Sequence, residues 1–148
     1  MNLYWGVYQS LEEETLNLAD NILFSDNQTE VCSLKIADLI VRCAVEIESI
    51  SKKLYQDNGG NMNARELHEK SDTLYFDSDC IQYLDKKWHI TKKVVNVVNQ
   101  KFNFEKEENL TLRPLKNCNK QGDGRWKKAY NELNTTDIIH CIVGILLI

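Results

Sequence analysis

Apolar residues at spacings of three, four and seven dominate the chain and predict helices. Leu3, Val7, Leu11, Leu18 and Ile22 form one such row, with Glu12, Glu13 and Glu14 on the opposite side. They predict a first helix from Tyr4 to about Phe24. Ser25 to Gln28 is a polar break. A second helix is predicted from about Glu30 to Tyr55, its stripe made by Leu34, Ala37, Ile40, Val41, Ala44, Ile47, Ile50 and Leu54. Leu39, Cys43 and Val45 widen that stripe enough to make this the central helix, and Asp57-Asn58-Gly59-Gly60 ends it.

The polar stretch Asn61 to Thr73 holds a candidate helical turn at Ala64 to His68. A third helix is predicted from Asp77 to Trp88, with Asp77 or Ser78 as N-cap and Ile81, Leu84 and Trp88 on its buried face. Val94 to Val98 and Leu110 to Leu112 are β-branched or extended in character and are expected to pair loosely. After a polar loop from Asn117 to Gly124, a fourth helix opens near Arg125. A fifth runs from Thr136 to Ile148, capped by Asn134 or Thr135. The expected fold is all-α: one domain over 1–148, a bundle of four to five helices with an irregular excursion between the third and fourth.

Composition supports this picture. A single proline and six glycines in 148 residues leave room for long helices. The apolar run Cys141 to Ile148 is shorter than the roughly 20 residues a bilayer span needs, and no secretory signal is visible, so no membrane association and a cytoplasmic location are expected. Cys32, Cys43, Cys80, Cys118 and Cys141 show no paired spacing and read as buried free thiols, with neither a metal nor another cofactor implied.

Charge is unevenly distributed. Lys86 to Lys128 carries twelve basic residues against four acidic ones, a net charge of +8, while the rest of the chain carries -12. Such asymmetry favours a polyanion-facing surface. Within it, Arg125, Trp126, Lys127, Lys128 and Tyr130 combine cations with two aromatics four residues apart, the residue types that stack on unpaired bases and neutralise phosphates. The same aromatics would serve equally as core anchors. Arg42 and Glu46, one helical turn apart in the second helix, line a cleft on the functional reading and form an edge ion pair on the plainer one. His68, His89 and His140 are the only histidines and hence the natural acid–base candidates near neutral pH.

Two blocks, Lys35 to Tyr55 and Arg125 to Leu133 (the latter preceded by Leu112-Arg113-Pro114-Leu115), resemble the prokaryotic HEPN-like helical families. That resemblance implies a compact α-helical bundle, often a homodimer, in toxin–antitoxin, abortive-infection or other defence systems. RNA, an antitoxin or another protein is the implied partner. Active members of the family are metal-independent RNases that use an Arg-x4-6-His motif, one group handling the proton while a cation stabilises the phosphorane. This chain departs from the motif: Arg65 and His68 have only two residues between them, and Leu133 passes directly to Asn134 without a Lys-His-x-Arg-type segment. No catalytic residue carries over. The competing expectation is a non-catalytic helical interaction module that binds a partner through its apolar last helix, and that helix also underlies the homodimer expectation.

Overall fold

In the computed structural model, which describes residues 3–69, 71–119 and 135–147, the chain is mostly helical. Helix α1 spans Leu3–Leu18 and α2 spans Leu34–Asp57. The one-turn helix α3 (Ala64–Leu67) comes next, then a π-helical turn at Phe76–Ile81 that runs straight into α4 (Gln82–Trp88). A 3-10 turn at Ile90–Lys92 leads to the excursion, which contains the one-turn helix α5 (Glu107–Leu110), and α6 spans Thr135–Leu147. No helix among the described residues is long and apolar enough to cross a membrane.

The core lies where α2 packs on α6, on α1 and on the π-helical turn. Its largest fully buried side chains include Leu11, Ile36, Ile47, Ile81, Leu84, Leu115 and Ile138. Helix α2 is central, as its sequence pattern predicts, with Leu39 and Cys43 buried. Leu34, Val41 and Val45 of the expected stripe are exposed, because they lie on the face of α2 turned away from the core. In the last helix, Ile138, Ile139 and Cys141 are buried in the core that α6 shares with α1 and α2. At Gly144 the backbone lies close enough that an added Cβ would touch Ile47 and Leu115 at 3.5 Å, an ordinary contact.

Helix boundaries differ from the periodicity in three places. Helix α1 stops at Leu18 instead of reaching Phe24, because Phe24–Ser25 forms strand β1, paired in parallel with β3 (Phe102–Asn103). The Phe24 ring is fully buried and stacks on Phe102 at 5.2 Å, a contact that an extended backbone provides. Helix α2 begins four residues late, since the Ser33 hydroxyl accepts from the Ile36 N–H at 3.2 Å and caps it. It ends with Asn58 donating through its side chain to the Leu54 carbonyl and with Gly59 at φ +84°, a left-handed residue that glycine adopts without strain.

The third difference is chemical. Neither Asp77 nor Ser78 caps the expected third helix. Tyr75 occupies the N-cap position of the π-helical turn without a side-chain cap, and the Asp79 carboxylate reaches back to accept from the Tyr75 N–H at 2.8 Å. The two extended segments do pair, as expected: β2 (Val95–Asn96) runs antiparallel to β4 (Thr111–Leu112).

Candidate nucleic-acid interface

Helix α4 ends in a reversal that presents cations. Between Lys86 and Lys93 the chain carries four lysines and no carboxylate. His89 adopts φ 53°, in the left-handed region, and its N–H donates to the Asp85 carbonyl at 2.8 Å, closing the helix. The Asp85 carboxylate then organises the turn beyond the helix end. One oxygen accepts from the Thr91 N–H at 2.8 Å and from the Thr91 hydroxyl at 2.9 Å; the other accepts from Asn119 at 3.1 Å. Ile90, wholly buried between these bonds, anchors the turn to the core.

Above that anchor, Lys86, Lys87, His89, Lys92 and Lys93 are exposed. Lys87 donates to the Asn58 side chain at 2.8 Å and lies 5.3 Å from the centroid of the Trp88 ring. Among the described residues, no carboxylate sits within ion-pair distance of Lys86, Lys92 or Lys93. Trp88, read from the sequence as part of a buried face, is 38% exposed, because α4 ends at that residue and the chain reverses at His89. Tyr83, 37% exposed, stands one turn earlier on the same helix and packs edge-on against Tyr55. The result is a short segment of exposed cations with an accessible indole among them, the chemistry of phosphate neutralisation and base stacking.

The other sequence-derived site residues fall elsewhere. Arg125, Trp126, Lys127, Lys128 and Tyr130 lie outside the described residues. Arg42 is exposed on α2 and does not pair with Glu46; its Nη1 donates to Glu14 of α1 at 2.6 Å, bridging the two helices. Glu46 is half-buried on the next turn. The Glu14 carboxylate holds the Arg42 guanidinium above its usual pKa, so Arg42 stays charged throughout the working range.

His68 is held in structural contacts, whereas His89 is exposed. The His68 Nε2 lies 2.7 Å from the Asp79 carboxylate, and its ring packs edge-on to Tyr75. Arg65, the arginine nearest in sequence, is engaged by Asp72 through two nitrogens. His140 is buried in α6. Four of the five thiols are buried as expected, and Cys32 alone is exposed. Burial pushes the Cys43 thiol up to about 12 and the Cys80 thiol up to about 11, which keeps both protonated and unreactive.

The signal for Lys86 to Lys93 is present in the sequence as a run of lysines around Trp88. Helical periodicity absorbed it, since Trp88 falls in line with Ile81 and Leu84. No family model matches the chain, and neither does any curated protein or solved structure.

Proposed function

We propose that the chain is a cytoplasmic HEPN-like bundle of four to five helices that binds RNA in a prokaryotic defence or toxin–antitoxin setting. The exposed cationic cluster around Trp88 carries the reading. Its lysines reach phosphates, and the indole offers a stacking face that every base fits. Arg65 and His68 are poorly suited to cleavage as a pair, because each is committed to an aspartate. The net charge of +8 from Lys86 to Lys128 supports a polyanion partner over the acidic remainder of the molecule.

The test is fluorescence anisotropy with a labelled single-stranded RNA across about 50 to 200 mM salt. Binding should weaken steeply with salt, by a log–log slope of about -0.7 for each phosphate neutralised. Lys92→Ala combined with Lys93→Ala should flatten that slope by about 1.4. Trp88→Ala should weaken binding with the slope unchanged. Affinity that ignores both salt and these substitutions would sink the reading.

A second reading, a non-catalytic interaction module, is favoured by a specific feature of α2. Leu34, Val41 and Val45, spaced by seven and four residues, share its outer face and are 76%, 45% and 58% exposed. An apolar row of that kind on a surface helix suits a second copy of the chain or a protein partner such as an antitoxin. With Ile138, Ile139 and Cys141 of α6 buried, this face is the better location for a homodimer contact.

A further inference from the structure

A pocket of about 190 Å³ opens between α1, α6 and the segment 95–102 that follows the cationic turn. Its walls are apolar, built by Leu16, Val95, Val97, Phe102, Ile139 and Val143. The roof is clamped: Lys101 Nζ donates to the Leu16 carbonyl at 3.3 Å and pairs with Asp20 at 3.0 Å, which ties the segment to α1 and neutralises the lysine. Val98, at the rim, is 89% exposed.

The polar atoms around this space are few, and most are already engaged. The Thr15 hydroxyl donates to the Leu11 carbonyl at 2.9 Å, and the side chains of Asn96 and Asn99 accept from Thr111 and from the Lys101 N–H. Glu12 is the only charged residue in the lining among the described residues. The Tyr8 hydroxyl donates to its Oε1 at 3.0 Å, which fixes the carboxylate beside the opening. A carboxylate accepts several hydrogen bonds, so this one retains capacity for a second donor.

From this geometry we infer that the pocket binds a small organic cation: one apolar ring in the cavity, one protonated amine on Glu12. Volume sets the size of the ring. An apolar protein cavity of about 150 Å³ holds a benzene molecule, so the space here takes a single six-membered ring with a short tether. Charge sets the class. An anion would meet the Glu12 carboxylate with no compensating cation in the described lining, whereas an ammonium gains a charge-assisted hydrogen bond.

Methyl NMR of the full chain decides the matter, titrating three ligands of one shape: 2-phenylethylamine, 2-phenylethanol and 3-phenylpropionate. The expected result is saturable shifts at Val97, Ile139 and Val143, with the amine bound about tenfold tighter than the alcohol and the carboxylate weakest. Glu12→Gln, at an exposed position that keeps the acceptor for Tyr8, should bring the amine down to the alcohol's affinity and leave the alcohol unchanged. Three results overturn the inference: no saturable shift at these methyls, a carboxylate that binds as tightly as the amine, or a ligand order that survives Glu12→Gln.

Discussion

Single residues set the local conformations on which the larger elements depend, and Asp26 shows how. Its carboxylate sits just after β1 and accepts from three groups of a segment far along the chain: the Asn109 side chain at 2.6 Å, the Glu105 N–H at 2.8 Å and the Lys106 N–H at 3.2 Å. These donors, Asn109 foremost, favour the ionised form and hold the carboxyl below its ordinary value of 3.8. A depressed carboxylate contributes stability above its unfolded value, and that contribution disappears as pH falls through the lower, folded value. The attachment of residues 105–109 to Asp26 should therefore loosen only in acid below 3.8. NMR titration of the Asp26 carboxyl should give a midpoint under that value, moving up towards it in Asn109→Ala. A wild-type midpoint at or above it would show that the three bonds do not persist in solution.

Among the elements, the α4 terminus and its reversal stand out because one aspartate satisfies most of the turn. Asp85→Ala removes the acceptor for the Thr91 N–H, the Thr91 hydroxyl and Asn119 together. Part of that cost is recovered by water, because the site is only half-buried. A loss of about 1–3 kcal/mol in urea unfolding is expected, the range for stranding a partly buried donor. RNA affinity should fall with it, since Lys92 and Lys93 depend on the turn for their placement. Stability within about 0.5 kcal/mol of wild type, the usual range for a surface substitution, would mean that the buried Ile90 alone anchors the reversal. Pairing of α1 with α2 relies less on charge. The Arg42–Glu14 bridge has both side chains substantially exposed and is worth about 0–1 kcal/mol, so Leu11, Leu18, Ile36 and Cys43 in the shared core hold these helices.

At the scale of the whole molecule, the proposed homodimer has two apolar helix faces to draw on, those of α6 and α2. Ile138, Ile139 and Cys141 of α6 are buried, and the apolar row on α2 is exposed. A homodimer built on that row should dissociate when Val41→Asp and Val45→Asp are combined, with helicity by circular dichroism unchanged because both positions face solvent. Light scattering at micromolar concentration would read a dimeric mass for the wild type and a monomeric one for the variant. A monomeric wild type removes the homodimer and leaves the row to a different protein.

The predominance of helix, the central place of α2 and the pairing of Val94–Val98 with Leu110–Leu112 are written in the chain's own periodicity, because burying one face of a helix or strand demands a fixed repeat. The uneven charge, too, is legible from the residues alone. Other features required the tertiary structure. Phe24 leaves the α1 pattern because its ring is needed against Phe102, a partner 78 positions away that no local repeat encodes. Arg42 turns to Glu14 and not to Glu46 because α1 packs alongside. Trp88 fits a buried stripe by spacing, yet it emerges among the lysines because α4 ends there. Periodicity fixes which face of a helix turns inward; where the helix stops, and what lies across from it, depends on contacts between segments distant in sequence.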